Sequence, residues 1–178
     1  MAEAVAPHGV PVVMVEADST DQATLNAALD KAVSEHGVPD VVVYNAAIIQ
    51  ADAPGELSVR AHMEAWAVNV VGALNAAAHV APAMAARGNG TFLITGGMPE
   101  PKPQYVSLSL GKAGVRTLVT LLDQEYGPSG VHVASVTVAA RSPPAPTSTR
   151  MTSPSTIGGC TQPRHQWERE ALHAGSSR

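Results

Sequence analysis

Four short apolar runs, Val10 to Val15, Val41 to Tyr44, Phe92 to Thr95 and Val131 to Val138, constrain the fold of this chain more than any other feature. They lack the apolar–polar alternation of half-exposed strands, so they read as parallel strands buried on both faces. Three stretches of helical period separate them. In the first, Leu25, Ala28, Leu29, Ala32 and Val33 share one face, the Ser19-to-Gln22 spacing offers a capping box, and Gly37 with Pro39 ends the helix. The second runs from about Ala61 to Arg87, with Trp66, Val70, Ala73, Leu74, Ala77 and Ala81 at helical spacing and Pro82 expected to bend it. In the third, from 107 to 126, Val115, Leu118, Val119 and Leu122 form a stripe, and Gly127-Pro128 stops the helix.

The order βαβαβαβ, joined by right-handed crossovers, predicts an α/β fold with a doubly wound parallel sheet. In such sheets ligands bind beyond the carboxyl ends of the strands. The places to look for chemistry are therefore Asp18, Asn45, Gly96-Gly97 and the segment after Val138. Residues 142–163 turn to Ser, Thr, Pro and Gly and read as a flexible loop. That leaves 1–141 as the α/β domain and 164–178 as a tail in which Arg164 to His173 is expected to form a short helix docked by Trp167.

Composition narrows the function classes. Apolar residues make up 45% of the 178 residues but aromatics only 3%, so the core must be built from small aliphatic side chains packed between helices and sheet. The net charge of −4, with no run of Lys or Arg, argues against nucleic acid or an anionic membrane as partner. Cys160 is the lone cysteine, so no intrachain disulfide is possible, and a reducing, cytoplasmic location is expected. The opening residues carry neither a basic stretch nor a long apolar run, so no signal segment or membrane span is expected. The seven histidines lack metal-ligand spacing, and no metal site is expected.

DVVVYNAA at 40–47, WAVNVVGALNAA at 66–77, GTFLITGG at 90–97 and SLGKAGVRTLV at 109–119 together resemble the short-chain dehydrogenase/reductases in order and spacing. The resemblance covers roughly residues 10 to 140. It implies a Rossmann-like fold, NAD or NADP as cofactor, a small-molecule substrate, and hydride transfer between the nicotinamide and an alcohol or carbonyl compound. It also implies a homodimer or homotetramer built on two long helices.

The same resemblance assigns residues. Asp18 matches an acidic residue that hydrogen-bonds the adenine amino group, and Asn45-Ala46-Ala47 matches the NAG motif beside the adenine ribose, with Ala47 in place of the glycine. Asn69 matches the asparagine that holds a proton-relay water. Lys112 matches the lysine that binds the nicotinamide ribose and lowers the pKa of the catalytic tyrosine. Catalytic roles thus fall on Asn69 and Lys112, and cofactor contacts on Asp18, Asn45, Ala46, Ala47 and Lys112.

Three departures bear on activity. Leu108 stands four residues before Lys112, where relatives carry the tyrosine, and leucine transfers no proton. Gly97 stands where relatives carry the serine that polarises the carbonyl. Thr95 and Ser107 offer hydroxyls out of register, and Tyr105, seven residues before Lys112, leaves the helix start in another direction. Finally, no strand–TGxxxGxG–helix unit precedes Val10, so the chain reads as an N-terminally truncated member lacking the first β-α-β unit, and strong dinucleotide binding by this chain alone is not expected. The expectation is a catalytically impaired homologue. The alternatives are a non-catalytic dimerising protein or a fragment without independent activity. Ser109 and Lys112 also form an SxxK pattern, but without the partner motifs of the enzymes that use it.

Overall fold

The computed structural model describes residues 12–139 and 170–174. Helix α1, Gln22–His36, leads into strand β1, Val41–Tyr44. Helix α2, Val59–Trp66, passes through one π-helical stretch, Ala67–Val71, into α3, Gly72–Arg87. Strand β2, Gly90–Thr95, is followed by α4, Val106–Tyr126, a 3-10 turn at Gly127–Ser129, β3, Val131–Ala139, and β4, Glu170–Ala174. The four strands lie in the order β1-β2-β3-β4, all parallel, with Val42 opposite Phe92 and Phe92 opposite Val133.

The crossover helices cover one face of this sheet. Phe92 and Ile94 of β2 and Val131 and Val133 of β3 meet Ala77, Val80 and Met84 of α3 and Val115, Val119 and Leu122 of α4 in one cluster. Leu93, Ala134 and Val136, of opposite parity, make a second cluster on the other face. Small side chains permit this closeness: a Cβ on Gly114 of α4 would stand 2.7 Å from the Trp66 ring, and one on Gly90 would stand 2.8 Å from the Met84 side chain.

The second and third helical stretches and the strands at 41–44, 92–95 and 131–138 are borne out, within two residues at their ends. Four local readings need correction. The cap of α1 is Asp21, whose carboxylate accepts from Ala23 N at 2.9 Å and Thr24 N at 3.2 Å, and not Ser19, because the chain enters the helix two residues later than the capping-box spacing implied. Residues 12–15 form no strand: Val12, Val13, Met14 and Val15 are exposed, and no described strand lies alongside to complete a ladder with them. β1 is not buried on both faces. As the edge of the sheet it turns Val42 and Tyr44 inward and leaves Val41 and Val43 about two-fifths exposed. In the tail, 170–174 is a strand and not a helix, because the free edge of β3 supplies a ladder from Ser135 to Ala139 that pairs with Glu170 to Ala174. Trp167 and the 142–163 segment lie outside the described residues.

Candidate active-site region

The carboxyl ends of β1 and β2 and the first turns of α4 converge on one place. Thr95 closes β2, and its hydroxyl donates to Oδ1 of Asn45, the first residue beyond β1. The Thr95 carbonyl accepts from Nζ of Lys112 at 2.6 Å. Adjacent strand ends and the helix are thereby tied through three side chains. Lys112 is only 5% exposed, and burial holds its amine below the ordinary lysine range.

Asn69 lies within the π-helical stretch. Its side chain reaches across to the loop after β1, where Oδ1 accepts from Ile48 N at 2.8 Å and Nδ2 donates to Ile48 O at 3.3 Å. Both polar backbone groups of the loop after β1 are thus satisfied by one buried amide. Helix α4 crosses at the same point: a Cβ on Gly111 would meet Asn69 Cβ at 3.0 Å and Nδ2 at 3.1 Å. The position next to Lys112 therefore has to be glycine for Asn69 to keep its grip on Ile48.

Gly111→Ala is expected to cost about 1–2 kcal/mol of stability, overpacking outweighing the better helix propensity of alanine. Gly114→Ala is expected to cost less, although its contact is shorter, because Trp66 is 39% exposed and its ring can swing outward while Asn69 is pinned. Urea unfolding of both variants checks the order, and a larger loss at Gly114 would contradict it.

Leu108 and Gly97, where the resemblance leads one to expect tyrosine and serine, have their own geometry. Leu108 lies one helical turn before Lys112 and is 6% exposed. Gly97 has φ +139°, a conformation that disfavours any side chain, and the carbonyls of Gly97 and Met98 each accept from Arg116 at 3.2 Å. A serine at 97 would require this turn to change. Ser107 is no substitute, since its hydroxyl and its N–H both donate to the buried carboxylate of Asp52, at 3.1 and 2.8 Å. Tyr105 is the N-cap of α4, and its backbone bridges Asp52. Ser109 exchanges hydrogen bonds with the Lys102 backbone, so the SxxK pattern has its hydroxyl engaged elsewhere.

Asp18 lies apart from this group. Its Oδ1 accepts from the N–H and the hydroxyl of Thr20, both at 2.8 Å, which holds its pKa low. It borders an open cavity of about 530 Å³ lined by Glu16, Ala17, Ser19 and Thr24. Between Asp18 and Asn45 stands Tyr44, whose hydroxyl donates to Val68 O at 2.6 Å and whose pKa is raised by burial. Ala46 is exposed and Ala47 half-buried at the strand end. The structure thus brings Asn45, Asn69, Thr95, Gly97 and Lys112 together and leaves Asp18 beyond Tyr44. Arg116 and Asp52 had no signal in the sequence beyond their types: one sits a helical turn after Lys112, the other in an ordinary loop.

Lys112 and Tyr44 give opposite slopes of stability against pH. Between the lowered pKa of Lys112 and 10.5 the unfolded chain binds more protons than the folded one, so stability rises with pH. Above 10.0 the folded chain keeps a proton on Tyr44 that the unfolded chain loses, so stability falls. Denaturant titrations across alkaline pH are expected to show Lys112→Met flattening the rise and Tyr44→Phe flattening the fall. A rise unchanged in Lys112→Met would refute the first assignment.

A nicotinamide dinucleotide needs a phosphate cradle as well as contacts at its two ends. Among the described residues no glycine-rich turn joins a strand directly to a helix N-terminus. Gly96-Gly97 is separated from α4 by residues 98–105. The described residues do not, by themselves, fit the whole cofactor.

The sequence matches the family model described as short chain dehydrogenase over residues 1–156. It is 31% identical over 141 residues to a cis-4-hydroxycyclohexanecarboxylate dehydrogenase of Sinomonas cyclohexanicum, covering 76% of this chain and 56% of that protein. The chain thus spans about half the length of the curated relatives it matches. A gluconate 5-dehydrogenase from Burkholderia cenocepacia, solved in complex with NADP and tartrate, superposes with a TM-score of 0.71 at 22% identity, over 77% of this chain and 55% of that one. A short-chain dehydrogenase from Rhodopseudomonas palustris superposes with a TM-score of 0.80 at 18% identity, over 98% and 83%. At these identities the two structures speak for the Rossmann-like fold alone.

Proposed function

Since the chain belongs to the short chain dehydrogenase family, with the fold of NAD(P)-dependent oxidoreductases, we propose that it is a homologue in which hydride transfer between nicotinamide and an alcohol or carbonyl compound is severely impaired. The observation that carries this reading is the pairing of a retained Lys112 and Asn69 with a buried Leu108 one turn earlier and a bare Gly97 at the strand end. In this reading Asn69 and Lys112 are the remnant of the catalytic set, and Asp18, Asn45, Ala46, Ala47 and Lys112 are what remains of the cofactor contacts. The substrate of an active relative is a small molecule. A cytoplasmic location, with no nucleic acid or membrane partner, agrees with the charge of −4 and with the half-buried state of the long apolar helix at Val59–Arg87.

Fluorescence titration with NADPH tests the cofactor half of the proposal. Weak or absent saturation is expected because the described residues offer no phosphate cradle, and tight saturable binding would overturn it.

A second reading is favoured by the outer face of the two long helices. Val59, Met63, Trp66 and Leu74 on one, and Leu110 and Leu121 on the other, are all more than a third exposed. Apolar groups at this density on neighbouring helices support a self-associating surface, so the chain is a homodimer or homotetramer in this reading. Light scattering decides it, a monomer at micromolar concentration counting against association.

A further inference from the structure

Among the described residues, Lys112 is the one buried amine of this region, beside the buried hydroxyls of Ser107 and Ser109. Lys112 is 5% exposed, no described carboxylate pairs with its amine, and its partner is a single backbone carbonyl, that of Thr95. The side chain one turn before it is the apolar Leu108. Opposite its stem, a Cβ built on Gly97 would meet nothing but Lys112 itself, at 3.9 Å from Cγ and Cε. The space over Gly97 is thus open to an added carbon beside the Lys112 stem, and no described carboxylate lies against the amine.

We propose that Lys112 captures short aliphatic aldehydes as a Schiff base, the aldehyde chain lying over Gly97 and Leu108. A neutral amine can donate one N–H to the Thr95 carbonyl and still present its lone pair. The lone pair attacks the aldehyde carbon, the C–N bond forms as the carbonyl π bond opens, and the oxygen takes up a proton. The carbinolamine then loses that oxygen as water, carrying both amine hydrogens in the net balance, and leaves the imine. If the imine is protonated, its N–H points again at Thr95 O, which stabilises the cation. No oxidant, reductant or cofactor enters the step, so this inference stands independently of the hydride-transfer reading. Burial of the amine favours the neutral form and works in the same direction.

The sequence makes the test clean, because Lys31 and Lys102 are the two other lysines and both side chains lie on exposed residues. The full chain is incubated at neutral pH with propanal and cyanoborohydride, digested, and the propyl-lysines quantified by mass. Labelling of Lys112 at least about tenfold faster than of Lys31 and Lys102 is expected, with a midpoint against pH below that of a free lysine amine. The preference should vanish in urea, and Lys112→Arg, which keeps a donor for Thr95, should leave the other two lysines labelled as before. Equal labelling of the three lysines in the folded chain, or no adduct on Lys112, overturns the proposal.

Discussion

With NADPH or NADH and a panel of small ketones, the purified chain is expected to turn over at least about 10⁴-fold more slowly than a family enzyme with its tyrosine and serine in place. General acid catalysis by a positioned side chain contributes roughly 10²–10⁴-fold, and an oxyanion-side donor roughly 10²–10³-fold. Leu108 supplies no proton at any pH, and Gly97 has no hydroxyl. The nearest alternatives are committed elsewhere: Ser107 to Asp52, and Thr95 to Asn45. The two losses need not multiply, since residues acting on one transition state are not additive. Leu108→Tyr alone is expected to recover little, because it leaves Gly97 without a hydroxyl to polarise the carbonyl. Turnover at an ordinary enzyme rate in the unmodified chain would sink the proposal.

How far the sequence foretold this region depends on what each residue does. Asn45, Asn69 and Lys112 were legible through the resemblance, which matched each to a motif position, and not through periodicity or spacing. The structure gives each a backbone or strand-end partner. The strands at 41–44, 92–95 and 131–138 were legible because continuous apolar runs have few other uses. The expected strand fails over its described residues, 12–15, for a reason periodicity does not carry: a run of valines becomes a strand only where another strand offers a ladder. β4 failed in the opposite sense. Its residues have little strand pattern, yet the open edge of β3 recruits them. Pairing partners decided both cases, and a linear reading cannot see them. Arg116 and Asp52 were invisible for a related reason, as each acts on backbone groups that the fold, and not the local sequence, brings within reach.

Asp52 carries the largest stability effect expected of a polar residue here. Its carboxylate is 1% exposed and accepts both the N–H and the hydroxyl of Ser107 at the first turn of α4, where the helix dipole favours negative charge. Its backbone completes the clasp, Asp52 N donating to Gln104 O at 2.9 Å and Asp52 O accepting from Val106 N at 3.1 Å. Asp52→Ala keeps those backbone bonds but strands two buried donors, so a loss of about 2–4 kcal/mol is expected. Asp52→Asn keeps an acceptor oxygen and should lose about half as much, giving up the charge-assisted part. Because the clasp sets where α4 begins, the cost should appear locally as well. In Asp52→Ala, hydrogen exchange should quicken first at Val106, Ser107 and Ser109, before the amides of β2 and β3. Equal stability of Asp52→Ala and the unmodified chain in urea would mean that Ser107 finds water when Asp52 is gone, and that the start of α4 is held by Lys102 and Ser109 instead.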